Sequence, residues 1–222
     1  MKLLKINKLD FSYVAEETLL YIQDLSFPSK AIVKLEGKNG TGKTTFLNLL
    51  SDCLEIFPKE CNFLFDNNEY KKFSTLRKQR VFANDKPYFF ENLTLKEQIS
   101  FFIYILNLKT CFIQRAKEYC ERLELLKYSN RKIKDLSLGT KQKLSLACLL
   151  AMEVPFYFLD EPLNSLDYQS KKIIKDIIVQ KFHHQPACLF IIVSHEEDER
   201  ALYTHSLSTS DWKLKMLSNS FL

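Results

Sequence analysis

The stretch that most constrains the fold of this chain is LEGKNGTGKTT, which spans residues 35–45. The whole sequence of 222 residues contains only 4 glycines, and three of them, Gly37, Gly40 and Gly42, fall within this stretch. Glycine loses much conformational freedom on folding, and one reason to cluster it is to let bare backbone approach a ligand closely. The apolar run AIVKLE precedes the cluster, and KTTFLNLLSD follows it. This order predicts a strand, a glycine-rich turn and a helix.

The same stretch matches the pattern G-x-x-x-x-G-K-[ST], which between a strand and a helix is typical of a loop that binds phosphate groups. Such a turn points backbone N–H groups inward, and the helix adds the positive end of its dipole. Lys43 is then expected to reach the β- and γ-phosphates of a nucleotide, and the Thr44 hydroxyl to bind Mg²⁺. The competing interpretation is a glycine turn before an ordinary helix. The residues predicted to bind the nucleotide here are Gly37, Lys38, Asn39, Gly40, Thr41, Gly42, Lys43, Thr44 and Thr45.

Composition limits the classes of protein to which the chain can belong. Hydrophobic residues make up 46% and charged residues 27%, as is ordinary for a globular protein with one large domain. The net charge of +5 is spread along the chain, so we expect no nucleic-acid partner. The 6 cysteines form no metal-ligand spacing and are expected to be buried free thiols in a reducing cytosol. The apolar stretch ISFFIYILNL is about half the roughly 20 residues that cross a bilayer, so we expect no membrane-spanning segment.

The order of the predicted elements favours an α/β fold. Short apolar runs separated by polar turns predict β-structure up to residue 36. From residue 93 to 152 the pattern is helical, and Thr94 with Glu97 fits a capping box at the start of the first helix. Beyond this, the buried strands FYFLD and ACLFIIV alternate with the helical segments SKKIIKDIIVQKF and HEEDERALY, and residues 206–217 are expected to form two short strands. Alternation of this kind predicts a parallel sheet covered by helices.

Two acidic residues, Asp160 and Glu161, end the apolar strand FYFLD. A nucleotide-hydrolysing protein with a phosphate loop needs a carboxylate at the end of a neighbouring strand to hold the Mg²⁺ shell, and this role suits Asp160. Glu161, beside it, is expected to polarise the attacking water. An acidic pair that closes a strand can also form a plain turn, but its position downstream of a phosphate loop favours the chemical role.

The segment LSLGTKQKL, residues 136–144, lies just before this strand and resembles the signature of the ATP-binding-cassette (ABC) ATPases, usually written LSGGQ. In that family the signature lies at a helix start and caps the γ-phosphate of the nucleotide held by the opposite subunit. The resemblance therefore implies that Ser137 and the Gly139 backbone bind ATP held by a second subunit. The string LSxG alone is weak evidence for the family, because simple helix capping also explains it. Its position downstream of a phosphate loop makes the match specific.

Three further positions resemble motifs of the same family. The segment NSLD ends at Asp167 and resembles the D-loop that crosses the dimer interface. The segment IIVSH ends at His195, which resembles the family's catalytic switch histidine that contacts the γ-phosphate. Tyr13, in DFSY, stands where the family places an aromatic residue that stacks on adenine, although Phe11 is a competing choice.

The sequence departs from the family pattern at two places. In the signature, Leu138 and Thr140 stand where glycine and glutamine are usual. The segment NDKPYFFENLT resembles the Q-loop region, and in it Asp85 occupies the position of the glutamine. A carboxylate oxygen of Asp85 can still approach Mg²⁺ or its bound water, although its reach is shorter by one methylene. The same segment resembles PDEPYLYENLT, which is associated with export-type cassettes.

The resemblance runs from about residue 3 to 217 and implies a single ABC ATPase domain over residues 1–222. We expect a P-loop NTPase core with a mostly parallel sheet and an N-terminal antiparallel β subdomain in about 1–92 and 153–222. We expect a helical subdomain that carries the signature in about 93–152. Catalysis is expected from Glu161 and His195 together with Lys43.

The resemblance also implies a function, namely the nucleotide-binding subunit of an export-type ABC transporter. The expected ligands are ATP and Mg²⁺. The expected partners are a second copy or another cassette, in a dimer that encloses two ATP, and a separate integral membrane subunit that holds the chain at the inner face of the cell membrane. Two alternatives stay open at this point: a soluble ABC ATPase that acts on nucleic acid or ribosomes, and a regulatory cassette that binds ATP without hydrolysing it.

Overall fold

Short strands and helices follow one another along the chain in the order that the apolar patterns predict. The computed structural model describes residues 2–14, 17–194 and 202–217. Within them the strands are β1 (Lys2–Phe11), β2 (Leu20–Pro28), β3 (Lys30–Glu36), β4 (Glu60–Phe65), β5 (Asn68–Tyr70), β6 (Arg80–Ala83), β7 (Phe156–Asp160), β8 (Cys188–Val193), β9 (His205–Ser208) and β10 (Leu214–Met216). The α-helices are α1 (Lys43–Leu50), α2 (Leu95–Ile105), α3 (Thr110–Arg122), α4 (Leu138–Ala151) and α5 (Tyr168–His184).

The strands form two sheets of different character. A four-stranded sheet has the order β2-β1-β4-β5, and its pairs are all antiparallel. A six-stranded sheet has the order β10-β9-β3-β8-β7-β6, in which β3 pairs in parallel with both β8 and β9, and β7 pairs in parallel with β8. The predicted α/β class, with an N-terminal antiparallel sheet beside a mostly parallel one, is therefore confirmed.

The centre of the six-stranded sheet is apolar on both faces. Every residue of β7 and β8 is buried, because a parallel strand in the middle of a sheet is covered from both sides. Phenylalanines of β7 and α1 lie in one core with phenylalanines of the antiparallel sheet, and the fully buried ones include Phe27, Phe46, Phe63, Phe156 and Phe158. This core fixes the carboxyl end of β7 and the start of α1, which both border the candidate site.

Helix α2 begins with the capping box that the sequence predicts. The Thr94 Oγ1 atom accepts a hydrogen bond from Glu97 N at 3.3 Å, and Thr94 N donates to Glu97 Oε2 at 2.8 Å. Each side chain thus satisfies a backbone donor that the first helical turn leaves without a partner. In the described part of the chain, none of the helices combines the length and the apolar character that a bilayer crossing requires.

The chain divides into two compact units. The first consists of Met1–Phe82, Val154–Glu161 and Lys181–Leu222, and it contains α1 and both sheets except for Ala83, the last residue of β6. The second consists of Ala83–Glu153 and Pro162–Gln180, and it contains α2, α3, α4 and most of α5. The subdomain limits expected from the sequence stay a prediction. Most of the predicted helix HEEDERALY lies outside the described residues.

A tight turn follows β9 in the first unit. The Trp212 backbone has a positive φ of 51°, and its N–H donates to the Ser208 carbonyl at 2.9 Å. The indole ring packs on Phe46 of α1 with the ring centroids 4.9 Å apart. The turn between β9 and β10 is thereby held against the helix that follows the phosphate loop.

The cysteines only partly match the expectation of buried thiols. All six are free, but Cys53 and Cys111 are exposed. Of the buried four, Cys61 and Cys120 have thiol pKa values raised by burial to about 12 and about 11. These two thiols stay protonated at neutral pH, because a buried thiolate would lose its hydration.

Candidate functional site

A pocket of about 500 Å³ in the first unit gathers residues from three distant stretches of the chain. Its walls come from the connection between β1 and β2, from the loop between β3 and α1, and from the residue after β7. This volume lies in the range typical of small-molecule sites. The lining residues are Tyr13, Leu19, Asn39, Gly40, Gly42, Lys43, Thr44, Thr45 and Glu161.

The start of α1 presents uncapped backbone N–H groups at this pocket. Gly42 is the N-cap of α1 and makes no side-chain capping hydrogen bond, whereas Thr94 and Ser137 cap α2 and α4 through their hydroxyl groups. Gly42 has a φ of 89°, and a Cβ there would lie 2.5 Å from Leu20 Cδ2, so a side chain is excluded by both conformation and space. A helix start without a side-chain cap offers its N–H groups and its dipole to an anion.

The Lys43 ammonium group is held beside the loop by two of the loop's own carbonyl oxygens. Its Nζ donates to the Gly37 carbonyl at 2.7 Å and to the Lys38 carbonyl at 3.0 Å. The side chain is almost entirely buried, although its residue lines the pocket. A fixed positive charge next to helix N–H groups is suited to the triphosphate chain of a nucleotide, and the predicted role of Lys43 fits this geometry.

The two aromatic residues proposed for adenine stacking have different environments. Phe11 is fully buried in the core, so its ring has no face open to a ligand. Tyr13 is 50% exposed and lines the pocket, and its ring packs edge-on against Phe11 with centroids 4.9 Å apart. Its hydroxyl lies 3.2 Å from Thr45 Oγ1, which ties the ring to α1. Of the two candidates, only Tyr13 can meet a base, and the stacking itself stays a prediction.

Replacement of Tyr13 by Ala is expected to weaken ATP binding about fivefold or more, because base–aromatic stacking contributes roughly 1–3 kcal/mol. Titration calorimetry with ATP and with inorganic triphosphate measures the effect. Only the affinity for ATP falls if the ring contacts adenine. Tyr21→Ala is a matched control, since Tyr21 is also 50% exposed but lies on β2 outside the pocket lining. Unchanged ATP affinity in Tyr13→Ala contradicts the assignment.

The acidic pair follows the carboxyl end of β7. Asp160 is buried and lies opposite Val193 of β8. Glu161 has a φ of 50°, in the left-handed region that is unfavourable for a side chain, and its N–H donates to the Val193 carbonyl at 3.0 Å. This backbone turn directs Glu161 to the pocket that it lines. A residue held in an unfavourable conformation at a pocket is a typical feature of functional sites.

The side chains at this end of the sheet have the right chemistry for Mg²⁺, but they cannot enclose the ion alone. The described residues contain no group of three or more His, Cys, Asp or Glu side chains that could hold a metal ion. Mg²⁺ prefers hard oxygen ligands, and it commonly binds through one or two carboxylates together with substrate phosphates and water. The Thr44 hydroxyl and the Asp160 carboxylate fit such a site, and their role as ligands stays a prediction.

The signature segment forms the start of α4 in the second unit. The Ser137 hydroxyl caps the helix by accepting from Thr140 N at 3.2 Å, and it also lies 2.9 Å from the hydroxyl of the unusual threonine, Thr140 Oγ1. Leu138 is 52% exposed. A Cβ at Gly139 would lie 2.7 Å from the Ser165 carbonyl oxygen, so this position requires glycine for close packing. Ser137 and Gly139 therefore have structural roles here, and their contact with a second subunit's ATP stays a prediction.

Asp167 stabilises the start of α5. Its carboxylate accepts from Ser170 N and Ser170 Oγ, both at 2.9 Å, and forms an ion pair with Lys143 Nζ at 2.6 Å. The Lys143 ammonium group and the Ser170 donors hold the pKa of Asp167 well below its usual range. The resemblance to the family's D-loop did not predict this cap. The signal was present, because Asp is among the residues preferred at an N-cap, where its carboxylate accepts a backbone N–H of the first helical turn.

The remaining predicted residues lie elsewhere. Asp85 is exposed in the segment between β6 and α2, in the second unit. His195 lies outside the described residues, so the roles of Asp85 and His195 both stay predictions.

Sequence reasoning missed Leu19, which lines the pocket, and Gln142, which is 1% exposed and donates to the carbonyls of Asn84 and Pro162, both at 3.0 Å. Neither has a recognisable pattern, since Leu19 is part of an apolar run and Gln142 follows a lysine in a polar helical turn.

Known proteins resemble the chain in both sequence and fold. Residues 22–164 match the family model described as ABC transporter. The chain is 33% identical over 177 residues to AlbC of Bacillus subtilis, a putative ABC transporter ATP-binding protein, in an alignment that covers 78% of this chain and 74% of AlbC. It is 27% identical over 202 residues to the cytochrome c biogenesis ATP-binding export protein CcmA of Reclinomonas americana, which covers 89% of each chain.

A solved structure supports the fold assignment. The dimeric, post-hydrolysis structure of the ATP-binding cassette MJ0796 with ADP and Pi matches with a TM-score of 0.76 over 98% of this chain and 100% of that one, at 21% identity. The family match covers more than half of the chain, and it includes the phosphate loop, the signature and the acidic pair. The chain therefore belongs to the ABC transporter family, as an ATP-binding and ATP-hydrolysing subunit.

Proposed function

We propose that this subunit works as a pair of copies that close head to tail around two Mg-ATP and drive a separate membrane subunit. The proposal rests on one pocket, which is lined by the uncapped start of α1, Lys43, Tyr13 and Glu161. It combines a phosphate-binding surface, an exposed aromatic ring and a carboxylate in a single cavity of about 500 Å³.

Catalysis in this proposal is mostly positioning and electrostatics. The N–H groups at the start of α1 and the Lys43 ammonium group neutralise charge on the transferring phosphoryl group. Glu161 orients the attacking water and accepts its proton. Thr44 and Asp160 would hold Mg²⁺, which when bound supplies further positive charge beside the phosphate oxygens. Asp85, whose side chain is one methylene shorter than the usual glutamine, is proposed to contact Mg²⁺ or its bound water. His195 is proposed to contact the γ-phosphate.

The proposed dimer supplies a second set of groups to each nucleotide. Ser137 and the Gly139 backbone at the start of α4 would face the γ-phosphate bound by the other copy, and Asp167 would lie near the interface. A helix start is suited to this role, since its dipole favours a negative group. The MJ0796 cassette is a dimer bound to ADP and Pi in its post-hydrolysis state, which supports a dimeric arrangement for this chain.

The membrane partner is proposed to contact exposed apolar residues of the second unit. Large apolar residues of the Asp85 segment and of the end of α2 are half or more exposed, and we propose that they contribute to one contact surface, since contiguous exposed apolar patches mark interaction sites. They are Tyr88, Phe90, Tyr104, Ile105 and Leu106. Contact with a membrane subunit there would hold the chain at the inner face of the membrane. The similarity to CcmA, an export protein, supports export as the direction of transport.

The dimer is tested by the solution mass of the Glu161→Gln variant, with and without Mg-ATP. Because the glutamine variant is expected to bind ATP without hydrolysing it, the closed state accumulates and the mass doubles on addition of Mg-ATP. A variant that combines Glu161→Gln with Lys43→Ala is the control, and it should stay a monomer. If Glu161→Gln remains a monomer while ATP is bound, the proposal that two copies of this chain close around ATP is wrong.

A further inference from the structure

A threonine far along the chain is hydrogen-bonded to the phosphate loop. Thr209 follows β9, and its Oγ1 donates to Thr41 Oγ1 at 2.8 Å. The Thr41 hydroxyl in turn donates to the Lys38 carbonyl at 2.8 Å. That carbonyl also accepts from Lys43 Nζ at 3.0 Å. A continuous series of hydrogen bonds therefore runs from the end of β9 to the Lys43 ammonium group.

Backbone pairing and close packing fix the position of Thr209. Its N–H donates to the carbonyl of Glu36, the last residue of β3, at 2.9 Å, which extends the pairing of β9 with β3 by one hydrogen bond. A Cβ at Gly37 would lie 2.0 Å from Thr209 Oγ1 and 2.8 Å from Thr41 Oγ1. The two hydroxyl groups thus pack directly on Gly37, and the absence of a side chain there gives them access to each other.

We infer that Thr209 is a positioning residue for the phosphate loop, an inference that rests on the proposed nucleotide site. Thr209 is not part of the pocket lining, so it acts through Thr41. Its hydroxyl orients the Thr41 hydroxyl, which holds the Lys38 carbonyl where that carbonyl can accept from Lys43. Thr209 donates to Thr41, and Thr41 donates to the Lys38 carbonyl. The same carbonyl accepts from Lys43, which is the cation proposed to contact the phosphates.

Loss of the Thr209 hydroxyl has a defined consequence. Without this donor the Thr41 side chain can rotate, and the Lys38 carbonyl loses its hydroxyl donor, so that the hydrogen bond from Lys43 is less well fixed. The loop then has to be ordered by the nucleotide itself, which lowers affinity. Since the loop meets the phosphate groups, the affinity for inorganic triphosphate should fall by the same factor as the affinity for ATP.

A pair of variants that differ by a single oxygen atom tests the inference. Thr209→Ala removes the hydroxyl and Thr209→Ser keeps it, while both leave the backbone hydrogen bond to Glu36 in place. Calorimetry should give an affinity for ATP and for inorganic triphosphate about three- to tenfold lower in Thr209→Ala, as expected for one hydrogen bond, and near the wild-type value in Thr209→Ser. Ser210→Ala is a control at the next position, where the hydroxyl lies 2.8 Å from Ser208 Oγ in the same turn.

A double-mutant cycle separates positioning from general destabilisation. Thr41→Ala already interrupts the series, so Thr209→Ala should add little to it if the two hydroxyl groups act together. Independent, additive losses overturn the inference, as does equal affinity in Thr209→Ala and Thr209→Ser. If wild-type protein binds neither ATP nor inorganic triphosphate, the proposed nucleotide site itself is wrong. Wild-type binding with no effect of Thr209→Ala disproves only the positioning role.

Discussion

The Glu161→Gln variant is expected to hydrolyse ATP about 100-fold or more slowly than the wild-type protein while it still binds ATP. A positioned general base commonly contributes about 10²- to 10⁴-fold to a rate, and an amide of the same shape cannot accept the proton of the attacking water. Because Glu161 lines the pocket beside the phosphate loop, its carboxylate is the group best placed for this role. Steady-state release of phosphate gives the rate, and calorimetry gives the affinity.

The control for this prediction is Glu55→Gln, which removes the same charge from an exposed position outside the pocket lining. It should hydrolyse ATP at the wild-type rate. Near-normal hydrolysis by Glu161→Gln would disprove the catalytic role of the carboxylate. A joint loss of binding and hydrolysis would instead indicate that the variant disturbs the pocket as a whole.

Removal of the Lys43 ammonium group is expected to lower affinity for ATP about 10- to 100-fold. Hydrogen bonds to charged groups contribute roughly 1.5–3 kcal/mol each, and Lys43 is the cation that the loop carbonyls hold at the pocket. In Lys43→Ala both carbonyl oxygens lose the hydrogen bond from Nζ, and the Lys38 carbonyl keeps its donors from Thr41, so the loop is less ordered in the free protein. Calorimetry with ATP, ADP and inorganic triphosphate measures the effect.

The response to the three ligands identifies the contact. If Lys43 meets the β- and γ-phosphates, the affinities for ATP and inorganic triphosphate fall most, and that for ADP falls less. Lys78→Ala, a variant of an exposed lysine outside the pocket lining, removes the same charge and should bind all three ligands normally. Wild-type affinity for triphosphate in Lys43→Ala would contradict the proposed position of the phosphates.

Much of the fold could be predicted from local signals. The glycine-rich turn between an apolar strand and an apolar helix indicated the order of β3, the loop and α1, because each element has its own period and the turn has its own residue types. The capping box at Thr94 marked the start of α2 to the residue, since the two side chains satisfy one another without help from distant parts of the chain.

The rest depended on contacts that local patterns do not encode. Phe11 and Tyr13 are two residues apart in similar surroundings, and only the packed sheet decides that Phe11 is buried and Tyr13 is exposed. The contact between Thr209 and Thr41 joins positions 168 residues apart, and no motif marks either hydroxyl. The exposure of Cys53 and Cys111 could not be predicted either, because tertiary packing decides which side of each segment faces the solvent.

The packing of Trp212 gives the protein an optical signal of its own. It is the only tryptophan in the sequence, and its ring touches Phe46 of the helix whose first turn borders the nucleotide pocket. Indole fluorescence depends on the polarity and packing around the ring, so a displacement of α1 on nucleotide binding would change the emission of this single chromophore. We expect binding and release to be measurable in this way on unlabelled protein, because selective excitation of the indole avoids the 18 phenylalanines and 10 tyrosines.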